Sequence, residues 1–84
     1  MGYRITYKKS VTKDLRRLGK EEARRVLNKI ESELSRNPAS VPALSGRYAG
    51  LRLLRVGDYR VIFGLFEDEV LVFRIRHRKD AYRH

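Results

Sequence analysis

The chain has 84 residues, with 20 Lys and Arg against 10 Asp and Glu, and a formal net charge of +10. This length predicts a single domain over residues 1–84. The absence of cysteine excludes disulfides, cysteine zinc sites and thiol nucleophiles. No apolar run approaches the ~20 residues that span a bilayer, and charges interrupt the N-terminal stretch where a signal peptide is apolar. We therefore expect a cytoplasmic protein without a membrane partner, whose charge attracts a polyanion or an acidic protein.

The first half of the chain predicts a strand followed by a helical hairpin. The stretch GYRITY (2–7) is rich in β-branched and aromatic residues, which favour a strand. Apolar residues then recur at helical spacing over 10–36, with Ser10 as the predicted N-cap. Gly19 interrupts this periodicity and divides the segment into two helices, and Pro38 prevents the second helix from continuing.

The second half of the chain predicts a loop and a three-stranded antiparallel meander. Both prolines lie within 37–50, which is typical of a loop. Strands are predicted over 51–56, 59–66 and 70–77, joined by the turn Gly57-Asp58 and by an acidic turn. The predicted fold class is α+β, with a helical hairpin packed on a four-stranded sheet to which the N-terminal strand is added at the edge.

Alternation within these strands predicts one basic face. In 59–66, Val61 and Phe63 share the face opposite to Arg60. The same alternation gathers four arginines on one surface: Arg55, Arg60, Arg74 and Arg76. In the last strand it assigns Leu71, Phe73 and Ile75 to the buried face, and Val70 and Val72 to the face of the arginines. Arg52 falls on the apolar face, where we expect it at the strand edge with its guanidinium group in solvent. Because a solvated face usually mixes charges of both signs, an arginine-rich face favours phosphate binding.

Two motifs resemble the RelE/ParE toxin superfamily, and RelE more closely within it. They are LRLLRVGDYRVIF (51–63) and RHRKDAYR (76–83). The resemblance implies a RelE-like toxin of a toxin–antitoxin pair, an endoribonuclease that cleaves mRNA in the ribosomal A site and so inhibits translation. It also implies the ribosome, mRNA and an acidic RelB-like antitoxin as partners, and no cofactor.

The resemblance also implies roles for individual residues in a metal-independent cleavage, in which the RNA 2′-hydroxyl attacks the adjacent phosphate. Arg60 matches the arginine that stabilises the phosphate, and Tyr82 matches the tyrosine that stacks on the substrate base. The arginine that assists the leaving group is either Arg76 or Arg78. Six further cations are expected to bind RNA: Arg47, Arg52, Arg55, Arg74, Lys79 and Arg83.

One departure from the superfamily pattern leaves the activity open. Leu51 and Leu53 stand where RelE members often carry Lys or Arg, so the general base proposed for some members is absent. The alternatives are a ParE-like gyrase inhibitor of the same fold and a catalytically weak relative that only binds nucleic acid. Seven cations in the helical half of the chain are open to two interpretations, a solvated surface or a ribosomal RNA contact: Lys8, Lys9, Lys13, Arg16, Arg17, Arg24 and Arg25.

No metal site is predicted. His77 falls on the apolar side of a strand end, where a hydrogen-bonded structural role is favoured over a catalytic one. The acidic stretch 67–69 is typical of a solvated hairpin tip, at the end of the strands opposite to Arg60.

Overall fold

The structure is a computed structural model that describes residues 3–44 and 50–79. Its elements, in chain order, are β1 (Arg4–Tyr7), α1 (Lys9–Leu18), α2 (Lys20–Leu34), a short 3₁₀ helix (Pro38–Ser40), β2 (Leu51–Val56), β3 (Tyr59–Phe66) and β4 (Glu69–His77). The four strands form one sheet in the order β1-β4-β3-β2. β1 pairs with β4 in parallel, and the other pairs are antiparallel. The predicted architecture, with the first strand at the sheet edge, is confirmed.

The helical hairpin turns at Gly19, as predicted. Its φ of 85° lies in the region that glycine tolerates best, so the two helices meet with a single residue between them. The predicted N-cap is wrong, because α1 begins at Lys9 and the Ser10 hydroxyl donates instead to the carbonyl oxygen of Phe73 in β4, at 2.8 Å. Within residues 3–44 and 50–79, neither helix is long and apolar enough to cross a membrane.

Both helices contribute to a core on one face of the sheet, here called the inner face. The buried apolar residues are Val11, Val26, Ile30, Leu34, Val56, Val61, Phe63, Val70, Val72 and Ile75. The opposite face, here called the outer face, includes Phe66, whose surface is 55% exposed. The sheet therefore separates an apolar core from a face that is partly exposed to solvent.

A bulge in β4 changes which of its residues face the core. Ile62 pairs with Arg74, whereas Phe63 pairs with Val72, so Phe73 is one extra residue in β4. One extra residue reverses the alternation, and Val70 and Val72 are consequently fully buried in the core. The face predicted for Val70, Val72, Leu71 and Phe73 is therefore wrong.

Candidate functional site

Three arginines lie side by side on the outer face. Arg55 of β2 pairs with Arg60 of β3, and Arg60 pairs with Arg76 of β4. Since neighbouring strands are about 4.8 Å apart, this arginine row extends ~10 Å across the sheet. Arg55 and Arg76 are exposed, and Arg60 between them is half-buried. The predicted shared face is confirmed for these three residues.

Arg78 extends the row beyond the end of β4. Its backbone N–H donates to the Asp58 carbonyl oxygen at 2.7 Å, and its Nε lies 3.8 Å from the Asp58 carboxylate. The turn between β2 and β3 therefore fixes Arg78 next to the row. Arg55, Arg60 and Arg78 line one small cavity of about 140 Å³, together with Asp58. Three arginines against one aspartate give the lining of this cavity a net positive charge, which suits a phosphate.

Arg74 lies on β4 but has a partner within the protein. Its Nε and Nη2 donate to the two carboxylate oxygens of Asp14 in α1, at 3.0 and 3.1 Å. Asp14 is only 4% exposed and also accepts the backbone N–H of Ile75, at 2.9 Å. The carboxylate therefore satisfies a charge and a backbone donor at once. The Arg74 guanidinium group is thus already bonded to a carboxylate. RNA binding by Arg74 stays a prediction.

Arg52 also bonds within the protein. Its Nη1 donates to the carbonyl oxygens of Val41, at 2.5 Å, and Ala39, at 3.2 Å. These bonds attach the loop after α2 to β2, where Ala43 forms a bridge with Arg52. Instead of extending into solvent at the strand edge, as expected, the side chain holds this loop in place. Its predicted contact with RNA is not tested by this arrangement.

His77 is hydrogen-bonded within the protein, as predicted. Its Nδ1 accepts the backbone N–H of Lys79 at 3.1 Å, so the proton of the neutral ring resides on Nε2. The ring packs edge-on against Tyr59, with 5.2 Å between ring centroids. This pair closes the inner face at the end of the sheet that carries the arginine row. Within the described ranges, no cluster of three His, Asp or Glu side chains could hold a metal ion.

An apolar zone lies next to the arginine row on the outer face, across β2, β3 and the bulge of β4. Leu51 pairs with Gly64, and Leu53 pairs with Ile62, so both leucines lie further along the sheet from the arginine row. At Gly64, a β-carbon would approach the rings of Phe66 and Phe73 to 3.0 and 3.1 Å. Glycine therefore lets the two rings lie close over the strand. The contribution of Phe73 to this zone was not predicted, because strand alternation alone does not reveal the bulge that brings Phe73 to the outer face.

Some predicted site residues lie outside the described residues. These are Tyr82, Arg83 and Arg47. The described part of the predicted site consists of the arginine row, Arg52, Arg74, Arg78 and the exposed Lys79.

The strand order, the hairpin and the meander define the RelE-like fold, and comparisons with known proteins agree. The RelBE2 toxin–antitoxin complex from Mycobacterium tuberculosis is 26% identical, with a TM-score of 0.86 over 93% of each chain. The RelE–RelB complex from the archaeon Pyrococcus horikoshii OT3 is 30% identical, with a TM-score of 0.65 over 100% of both chains. The chromosomal ParDE system from P. aeruginosa, at 15% identity, shares the fold with a TM-score of 0.71 over 89% of this chain and 95% of that chain. The comparison with curated proteins returned no match.

The sequence itself matches one family over most of its length. Residues 5–82 match the ParE toxin of type II toxin–antitoxin systems. The chain therefore belongs to this toxin family, within the RelE/ParE superfamily. The predicted superfamily is confirmed.

Proposed function

We propose that this toxin is an endoribonuclease that cleaves mRNA in the ribosomal A site and inhibits translation. The observation that carries the proposal is the arginine row, because three adjacent guanidinium groups form a surface suited to a phosphodiester. Arg78, held next to the row by Asp58, adds a fourth guanidinium group.

The proposed chemistry is an internal transesterification of RNA. The 2′-oxygen forms a bond to the adjacent phosphorus, and the bond from phosphorus to the 5′-oxygen breaks. The 2′-hydroxyl loses a proton and the departing 5′-oxygen gains one. Negative charge accumulates on the phosphate oxygens during attack, and donors fixed in advance stabilise it. Arg60, at the centre of the row, is assigned this role, and Arg76 or Arg78 stabilises the leaving group.

Proton transfer is the weaker part of this site. Arginine retains its proton at any physiological pH and is a poor base. Leu51 and Leu53 supply no base on the outer face. Cleavage therefore depends mainly on orientation and charge stabilisation, which suits a substrate strand that the ribosome already holds in place. Tyr82 is assigned the stacking contact with a substrate base.

We propose an acidic RelB-like antitoxin as the partner of the outer face. The similar structures from M. tuberculosis and P. horikoshii are complexes of toxin with antitoxin. On this chain the arginine row adjoins an apolar zone, so an amphipathic segment with acidic residues would complement both. Binding there would cover Arg60 and block access of RNA.

The test is primer extension on mRNA in a reconstituted translation reaction, with the wild type beside Arg60→Ala. Wild-type protein is expected to cut within codons only when ribosomes are present. Arg60→Ala is expected to reduce the cleavage rate by about 100- to 1000-fold, the usual effect of losing one donor to a developing oxyanion. Arg24→Ala, on the exposed surface of α2, removes the same charge elsewhere and should retain the wild-type rate. Full cleavage by Arg60→Ala would contradict the assignment.

A second candidate function is inhibition of DNA gyrase. The match to the ParE toxin family and the leucines at 51 and 53 favour it. It predicts intact mRNA in the translation reaction and loss of gyrase supercoiling in the presence of the protein. Salt-dependent RNA binding without either effect would instead indicate a relative that only binds nucleic acid.

A further inference from the structure

The two helices of the hairpin differ in their balance of charge. Four exposed cations lie on α1: Lys9, Lys13, Arg16 and Arg17. The only acidic residue of α1 is Asp14, which is buried against Arg74. The charged residues of α2 are balanced, with Lys20, Arg24, Arg25 and Lys29 against Glu21, Glu22, Glu31 and Glu33. The positive charge of the hairpin surface is therefore concentrated on α1.

Three of the α1 cations form a line. Lys9, Lys13 and Arg17 are four residues apart, which places them along one side of the helix over ~12 Å. None of the three makes an ion pair within residues 3–44 and 50–79. On α2, by contrast, Arg25 pairs with Glu22 and Lys29 pairs with Glu33. We call Lys9, Lys13 and Arg17 the α1 ridge.

The α1 ridge is continuous with the arginine row. One cavity, of about 500 Å³, is lined by all three ridge residues and by Arg74. A second cavity, of about 330 Å³, extends from Arg17 to Arg76. Asp14 lines both cavities, but Arg74 neutralises its charge. A polyanion that crosses the row at Arg76 therefore meets Arg17 next, and then the rest of the ridge.

The surface around the ridge favours a charged backbone over an amphipathic peptide. Thr12 and Arg16 are exposed beside Lys13, so the neighbouring exposed side chains are polar or charged. An amphipathic peptide requires apolar contacts, whereas a nucleic acid backbone requires cations at its phosphates. Lys8 differs from the ridge residues, because its ammonium lies 5.1 Å from the centroid of the Phe73 ring.

We propose that the α1 ridge binds the phosphates of the RNA strand where that strand continues past the arginine row. This inference rests on the proposed function for its substrate, and it adds a second contact region outside the cleavage site. The ridge would set how much of the strand the protein holds, and the row would set where the strand is cut.

The test uses fluorescence anisotropy with labelled single-stranded RNA of four and of twelve nucleotides, methylated at the 2′-oxygens to prevent cleavage. The ridge variant is Lys9→Ala/Lys13→Ala/Arg17→Ala. Its matched control is Arg24→Ala/Arg25→Ala/Lys29→Ala on α2, which removes the same number of charges. Loss of three phosphate contacts on a single strand makes the slope of log affinity against log salt shallower by about 2. At 0.1 M salt the ridge variant should therefore bind the twelve-nucleotide RNA on the order of 100-fold more weakly. Its affinity for the four-nucleotide RNA should be unchanged.

Several outcomes would overturn the proposal. Equal loss of affinity in the ridge and control variants would mean that only net charge matters. A ridge variant that binds the twelve-nucleotide RNA like the wild type, but loses affinity for poly-glutamate, would assign the ridge to an acidic protein. Failure of the wild type to bind the longer RNA would also overturn it. Loss of short-RNA binding in Arg60→Ala supports the proposed function independently, so the two proposals can fail separately.

Discussion

The two halves of β4 are held in the sheet by different means. Residues 69–72 lie between β1 and β3 and bond to a strand on each side. From Phe73 onward, β4 pairs with β3 on one side and lies against α1 on the other. There the Ser10 hydroxyl and the Asp14 carboxylate bond the Phe73 carbonyl and the Ile75 N–H. Side chains of α1 thus replace the backbone of a neighbouring strand.

This difference matters because the half that depends on side chains carries the arginines. The first half contributes Val70 and Val72 to the core, whereas the second half carries Arg74 and Arg76. Backbone pairing is insensitive to substitution, but a hydrogen bond from a side chain is lost with that side chain. Single substitutions in α1 should therefore displace Arg76 while the rest of the sheet stays folded.

The largest expected effect comes from Asp14→Ala. The change leaves the Arg74 guanidinium without its partner and the Ile75 N–H without an acceptor. Because the Arg74 side chain is 39% exposed and can reach water, we expect the free energy of unfolding to fall by about 2–4 kcal/mol, not more. Urea denaturation measures this loss, and the cleavage assay should show that activity falls further than the folded fraction.

Val72→Ala is the matched control in the first half of β4. Removing two buried methyl groups there should lower the free energy of unfolding by about 2 kcal/mol. Folded Val72→Ala should nevertheless cleave like the wild type, because pairing with β1 keeps the backbone in place. If Asp14→Ala retained wild-type activity per folded molecule, the contrast between the two halves would not extend to function.

A smaller effect is expected from Ser10→Ala. The hydroxyl bond to Phe73 stabilises the bulge, and its loss should lower the free energy of unfolding by about 1 kcal/mol. Ser32→Ala serves as the control, since its hydroxyl bonds a carbonyl oxygen of its own helix at an exposed position. The difference between the two variants in urea denaturation measures the contribution of the bulge contact. Equal stabilities would show that Ser10 does not hold the bulge.

At neutral pH the smallest effect on stability is expected at Tyr7, which pairs with Val72 in the first half. Burial, and then the nearby Glu31 carboxylate, raise the pKa of Tyr7 to about 12. An unfolded tyrosine has a pKa near ~10, so between these values the unfolded state loses the proton first. Tyr7 therefore makes stability fall as pH rises from about 10 to about 12. Melting temperatures of Tyr7→Phe should decline less steeply over this window.

Glu31→Gln separates the two causes in the same measurement. It removes the carboxylate that accepts the Tyr7 hydroxyl bond at 3.5 Å and leaves the burial of Tyr7 unchanged. As pH rises over this window, the melting temperature of Glu31→Gln should fall less steeply than that of the wild type and more steeply than that of Tyr7→Phe. A Tyr7→Phe variant with the wild-type alkaline decline would contradict the assignment to Tyr7.

Local signals in the sequence were sufficient to predict most of the arginine row. The turn at Gly57-Asp58 places Val56 opposite Tyr59, and this register brings Arg55 next to Arg60. Gly19 likewise predicted the break between the helices. Such features depend on residues that are close in sequence, where spacing alone determines the geometry.

Features that depend on distant residues could not be predicted in this way. The bulge at Phe73 reverses the alternation of β4, and its hydrogen bond to Ser10 joins residues far apart in the chain. The pairing of Arg74 with Asp14 links α1 to β4. The residues next to Arg74 in the sequence therefore do not reveal its partner, and those next to Asp14 do not either. Strand alternation identified the arginines, but only the packed structure shows which guanidinium groups already face a carboxylate.

The position of β4 also determines when the arginine row can form during synthesis. β4 lies between β1 and β3, yet the ribosome makes it after both of them. Until β4 has emerged, β1 has no neighbouring strand, and Arg60 has Arg55 beside it but not Arg76. Pairing of β1 with β4 also closes a long stretch of chain, which slows folding. A nascent toxin thus lacks its complete arginine row until after its helices and its other strands have been made.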